Sequence, residues 1–213
     1  VKKNVRKYDR ARSKTYHHPE LRQSLITAAI DFLKTNSFTE LSLRSIARKL
    51  GVSHMAPYRH FKTKEELLAA IIEDGFVRMT FEFDKILNGN FSNYREKFSA
   101  MGKAYVYFIV SNSAQARLMF SGILCDAEKY ESTHQAGHES FACLLKLIEE
   151  GQSNGHLVKE NSHAMGLMIW ASVHGTAVLL LEDQFNMLNG NSTFNIDHFM
   201  DYMLEKLLKA VSK

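Results

Sequence analysis

The side chains best suited to chemistry crowd between residues 54 and 64: His54, Met55, Ala56, Tyr58, Arg59, His60, Lys62 and Lys64. Arginine and lysine pair with phosphate oxygens, and tyrosine and histidine can donate hydrogen bonds to them. Met55 and Ala56 carry no competing polar group and allow close approach to base edges. This set offers recognition of a polyanion rather than bond making. Elsewhere, His134 and His138 stand one helical turn apart, with Glu139 and Cys143 nearby. That spacing can share a metal ion, but two ligands at helical spacing arise often by chance and no third is fixed, so no metal site is expected. There is no GxGxxG turn, P-loop or HExxH helix, and no nucleophile elbow or catalytic triad is expected. Neither catalysis nor a cofactor is anticipated.

The charge is distributed to match. Lysine and arginine number 27 against 23 aspartates and glutamates, a formal net of +4. Residues 1–65 hold 15 basic and 5 acidic side chains, while residues 66–213 hold 12 and 18. A basic first third joined to a mildly acidic remainder suggests a nucleic-acid or membrane-surface partner for the basic part. Two cysteines, Cys125 and Cys143, exclude a disulfide framework and a four-cysteine zinc site. As a redox pair they carry little weight, since such thiols are usually just buried. No apolar signal segment follows the charged N-terminus, and a cytoplasmic location is expected. Residues 161–181 contain no Lys, Arg, Asp or Glu, yet histidines, an asparagine and two glycines interrupt them. A helix buried in a core or between subunits is expected there rather than a membrane span, and no membrane partner.

The elements that must position these residues are all helical. Leu, Ala, Ile and Met recur at spacings of three and four, and period-2 alternation is nearly absent. Residues 1–16 carry seven basic side chains and read as a flexible basic arm. It could enter a minor groove, but a solvated tail is its expected role. Leu21, Leu25, Ala28, Ala29, Phe32 and Leu33 form the stripe of a first helix. Ser42 or Leu43 opens a second, running to Leu50, and Gly51 breaks it. Ser53 caps a third, roughly His54 to Phe61, too short to stand without packing. Thr63 and Glu66 form a capping box that opens a long fourth helix. Further helices are expected near Ser92–Ser111, Gln115–Ile123, Ala127–Ser153 (closed by Gly155), Ser162–Phe185 and the C-terminus, with a polar loop from Met187 to Asn195.

Three short helices before a capped fourth resemble a helix-turn-helix. More specifically, residues 41–68, LSLRSIARKLGVSHMAPYRHFKTKEELL, resemble the DNA-binding segment of the TetR family of bacterial transcriptional regulators. The matching features are Ile46-Ala47, Leu50-Gly51-Val52-Ser53, Tyr58-Arg59-His60-Phe61 and Lys64-Glu65-Glu66-Leu67. The resemblance implies a helix-turn-helix domain over residues 17–64 and a larger all-α domain over 65–213 for effector binding and dimerisation. It also implies a homodimer on a palindromic double-stranded operator, with a small-molecule effector as second partner. By position, Tyr58, His60 and Lys64 fall on phosphate contacts, Ser42 and Arg44 on backbone or base contacts, and His54 to Ala56 on base contacts. Ser37, Ser42 and Pro57 depart from the usual family residues, and Pro57 removes a backbone donor within the recognition helix. Trp170 to Gly175, W-x-x-x-H-G, is similar to a WHG-like signature in one subgroup.

Eight of nine methionines and eleven of fourteen phenylalanines lie after residue 65. Methionine fills irregular spaces and lines adaptable pockets. An apolar effector cavity lined by Phe108, Met119, Phe120, Phe141, Met168, Trp170 and His174 is the functional expectation, and core packing is the plain one. Ala164, Ala171 and Gly175 would permit close helix approach at a dimer interface. The function expected is a ligand-responsive repressor. The alternatives are an activator and a small-molecule-binding helical protein without operator release.

Overall fold

The computed structural model describes residues 18–124, 126, 128–188 and 195–213, and every regular element among them is helical. The basic arm, Cys125 and most of the expected polar loop lie outside the described residues. The chain runs through α1 (His18–Leu33), α2 (Leu43–Leu50), a 3-10 turn (Pro57–Arg59), α3 (Lys64–Leu87) and α4 (Tyr94–Ser111). It continues through α5 (Ser113–Met119), α6 (Glu131–Ser153), α7 (Ser162–Leu181), α8 (Gln184–Leu188) and α9 (Ile196–Val211).

Local chemistry sets the first boundaries. Ser42 and Ser45 form a reciprocal capping box at the start of α2: each hydroxyl accepts from the other's backbone N–H at 3.1 Å. Leu43, Ile46 and Ala47 make its buried face. Gly51 ends it in the left-handed conformation, φ 68°, where a Cβ would be strained. The helix expected over residues 54–61 is instead the single 3-10 turn. Pro57 has no N–H to give to the Ser53 carbonyl, which accepts from Ala56 three residues on, at 3.0 Å. Ala56 rather than Ser53 occupies the cap position of that turn, with no side-chain hydrogen bond. Phe61 anchors the turn from below: it is buried, and the Arg22 guanidinium of α1 lies 5.4 Å from its ring centroid.

Thr63 caps α3 by accepting from the Glu66 N–H, but the Glu66 carboxylate reaches one residue further back than a capping box requires and accepts from the Lys62 N–H at 2.6 Å. From there α3 runs 24 residues, a length of about 36 Å at the usual rise. It packs on α1, α4 and α5, and most extensively on α6. Leu67, Leu68, Ile71, Ile72, Met79 and Phe83 are buried along it. One hydrophobic cluster therefore extends from Leu25 and Ile46 to Leu147 and Leu204.

The boundaries of the remaining helices shift from expectation by four residues or fewer. α6 begins at Glu131 rather than near 127, and α5 ends at Met119 rather than 123. Asn161, not Ser162, caps α7: its Oδ1 accepts from the Ala164 N–H at 2.9 Å. α7 stops at Leu181 because Asp183 turns to φ 54°, which splits off α8. Gly155, at φ 77°, closes α6 as its sequence position suggests.

Where α4 meets α9, Gly102 lies against the Leu204 side chain so closely that a Cβ would collide with it. A Gly102→Ala variant is expected to lose about 1–3 kcal/mol in urea unfolding. Gly137→Ala, whose Cβ would make ordinary contact with Phe76 at 3.6 Å, should gain up to about 1 kcal/mol from the lower flexibility of its unfolded chain.

Candidate nucleic-acid interface and ligand cavity

The start of α2, the 3-10 turn and the residues beside it gather the expected DNA-contact residues at the N-terminal helices. Ser42, Arg44, His54, Met55, Tyr58, Arg59 and Lys62 are exposed; Ala56, His60 and Lys64 are half-buried. Met55 is 69% exposed, so core packing does not explain an apolar side chain there. Lys64 Nζ donates to the Thr39 carbonyl at 3.0 Å, tying the start of α3 to the α1–α2 connection. Ser42 is engaged in its cap. Pro57 is buried and points its ring inward, away from the exposed side chains.

The second feature is a cavity of about 510 Å³ bounded by α3, α4, α6 and α7. Of the seven lining residues expected, Met119, Phe120, Phe141 and Trp170 border it. Phe108 is buried outside it, with the Arg78 guanidinium 5.7 Å from its ring centroid. Met168 faces outward from α7 and is 44% exposed. His174 sits behind the wall, its ring 4.7 Å from that of Phe120. Sequence reasoning missed the contributions of α3 and α4, among them Phe76, Met79, Phe83, Phe98 and Tyr105. The spacing of Phe76, Met79 and Phe83 marks one helix face, but nothing in it separates a cavity wall from a core.

A half-buried polar relay runs along one wall. Trp170 Nε1 donates to Tyr105 Oη at 3.0 Å, and Tyr105 Oη lies 2.7 Å from His174 Nδ1. Burial pushes the Tyr105 phenol up and the His174 imidazole down, so both are neutral near pH 7. With His174 neutral, one hydrogen bond joins Tyr105 Oη and His174 Nδ1, its direction following the imidazole tautomer. His134 and His138 both border the cavity, and His134 Nε2 is hydrogen-bonded to the Leu124 carbonyl at 3.1 Å. Among the described residues no group of three His, Cys, Asp or Glu is placed to hold a metal. Cys143 is buried, its thiol 3.8 Å from Asp84 Oδ1 and pushed up to about 11, chiefly by burial. The letters G-x-S-x-G do occur, at Gly151–Gly155, contrary to the expectation of no elbow motif. They fall on the C-terminal turn of α6, not on a strand-to-helix turn, and so build no nucleophile elbow.

Between interface and cavity lies a second polar cluster. Gln115 of α5 is wholly buried: its Nε2 donates to the Ile71 carbonyl at 2.8 Å and to Asp74 Oδ2 at 3.1 Å, and its Oε1 accepts from Arg78 Nη1 at 3.2 Å. Asp74 Oδ1 also accepts from Gln23 of α1 at 3.3 Å. One turn along α5, Met119 borders the cavity and packs against Gly75.

α7 is long and apolar enough to cross a membrane by length and composition. One face, including Met165, Ile169, Val173 and Ala177, is buried against α4 and α6. The opposite face, Ala164, Met168, Ala171, Gly175, Val178 and Leu179, is exposed and carries no charge.

Comparison with known proteins matches both halves of this arrangement. Residues 25–71 match the family model described as bacterial regulatory proteins of the tetR family, and residues 98–207 match the tetracyclin repressor-like C-terminal domain. A protein of unknown function from Rhodococcus sp. RHA1 superposes with a TM-score of 0.82 at 29% identity, covering 94% of this chain and 100% of that one. The TetR family transcriptional regulator PfmR from Thermus thermophilus shares the fold at a TM-score of 0.68 and 16% identity, with 87% and 97% coverage. The nucleoid occlusion factor SlmA of Marinobacter nauticus is 30% identical over 59 residues, which span 28% of this chain and 30% of that protein's length.

The His174 environment has a measurable consequence. A lowered folded-state value means that the unfolded chain takes up this proton more readily, so stability is complete above the unfolded value near 6.5 and falls as pH drops below it. Urea unfolding at pH 7.5 and 5.0 should show a smaller loss for His174→Gln than for the parent chain. An equal loss in both would place the protonation elsewhere.

Proposed function

Because the chain belongs to the tetR family of bacterial regulatory proteins, we propose that it is a ligand-responsive repressor, acting in the cytoplasm as a homodimer on a palindromic operator. The observation that carries this is α3: the helix whose first turn is pinned to the interface by Lys64 also supplies Ile72, Phe76, Met79 and Phe83 to the cavity. Residues 17–64 form the DNA-reading domain and residues 65–213 the effector-binding and dimerisation domain, with α3 beginning at their boundary. Catalysis has no part in this function.

Arg44, Tyr58, Arg59, Lys62 and Lys64 contact phosphates, together with Ser42 and His60, while His54, Met55 and Ala56 approach base edges. The proline-tightened turn presents these side chains over a shorter span than a two-turn recognition helix, which narrows the bases they reach. Two copies meet through the uncharged face of α7, where Ala171 and Gly175 let helices approach closely, and through α9. An effector entering the cavity displaces Met119 and with it α5. The Gln115–Asp74–Gln23 cluster passes that shift to α1, and the recognition turns move out of register with the operator. Release then requires only that the effector bind the DNA-incompetent arrangement better.

An operator selected from random duplexes provides the test. Lys62→Ala and Arg44→Ala should each weaken binding and lower the slope of log K against log salt by about 0.9 per lost phosphate contact. Unchanged affinity and slope in both would overturn the assignment of this surface. Ala171→Glu, which places a charge on the outward face of α7, should yield a helical monomer in sedimentation with operator affinity reduced by at least about tenfold. A dimer that persists would move the interface elsewhere.

A further inference from the structure

The cavity changes chemistry from its mouth to its closed end. Ile123, His138, His163 and Leu167 border it and are exposed, whereas Phe83, Phe98, Met101, Leu147 and Leu204 border it and are buried. Among the described lining residues there is no Lys, Arg, Asp or Glu. A carboxylate or ammonium carried to the closed end would lose its water and find no counter-charge.

Neutral polar groups do not relieve that cost, because the deep hydroxyls already have partners. Tyr105 Oη accepts from Trp170 and shares a hydrogen bond with His174 Nδ1. Thr133 Oγ1 donates to the Ala69 carbonyl at 3.4 Å, and Ser140 Oγ donates to the Phe76 carbonyl at 3.2 Å. At the mouth the balance reverses. His134 is engaged with the Leu124 carbonyl, but His138 and His163 are exposed imidazoles able to donate or accept, and water reaches them. The His163 ring also stacks edge-on against Phe141, 5.4 Å between centroids, which holds it at the rim.

We infer that the cavity takes a single-headed amphiphile, apolar end first, with its polar or anionic head at the mouth beside His138 and His163. A volume of about 510 Å³ suits a body of that kind, within the usual range for small-molecule sites. The inference rests on the effector-site reading above and adds to it the class and orientation of the ligand. It excludes compounds charged at both ends.

The test uses the chain's one tryptophan, Trp170, which borders the cavity and reports occupancy through its own emission. Decanoate, 1-decanol and decanedioate are titrated into the full chain below their aggregation limits. Decanoate and 1-decanol should shift Trp170 emission saturably, with Kd values within about tenfold of each other. Decanedioate, forced to bury a carboxylate, should bind at least about 100-fold more weakly than decanoate. His138→Glu/His163→Glu, two exposed substitutions compatible with folding, should weaken decanoate at least about tenfold more than 1-decanol. Decanedioate binding as well as decanoate, or decanoate indifferent to the two glutamates, would overturn the ligand class and orientation while leaving the cavity an effector site. Failure of both decanoate and 1-decanol to bind would overturn the inference and the effector-site reading together.

Discussion

A wholly buried amide must find partners for its donors and acceptor, and Gln115 finds them on α3. Its side chain donates to the Ile71 carbonyl and the Asp74 carboxylate and accepts from Arg78. Leaving any of these groups unpaired in the interior would cost about 1–3 kcal/mol, so α5 is held in one register against α3. Gly75 makes the approach possible: a side chain there would collide with Met119. The rest of the arrangement follows from that registration. α5 carries Met119 to the cavity, α3 carries the N-terminal helices, and Asp74 reaches across to Gln23 of α1.

Such a joint suits a protein that must communicate between two surfaces. Apolar contacts along α3 and α6 are closely packed and transmit strain, but they name no particular partner atom. The polar cluster instead has discrete partners, so a displacement of α5 either keeps them or breaks them. That property gives the proposed release an all-or-none character rather than a gradual loosening.

The sequence made the N-terminal part legible because its signals are local. Ser42, Gly51 and Thr63 act within four residues of themselves, and the structure finds each at a helix boundary. Pro57 was also visible, yet its consequence, a 3-10 turn in place of a helix, depends on the Ser53 carbonyl taking another partner. The helical class and the family followed from periodicity and from a dense cluster of submotifs. The cavity was legible only as composition. Met119, Phe120, Phe141 and Trp170 border it, but Phe108 and Met168 have the same chemistry and lie elsewhere, since only tertiary packing decides which helix face turns inward. The Gln115 cluster escaped notice entirely: one glutamine carries no sequence signal for its own burial.

Energetic coupling of cavity and DNA surface through α3 would be reciprocal. The direct measurement is the affinity of the cavity for 1-decanol, followed by Trp170 emission, in the free protein and in its complex with operator duplex. Coupling through α3 predicts a Kd at least about fivefold higher in the complex. An unchanged Kd would contradict it, even if each ligand bound tightly alone.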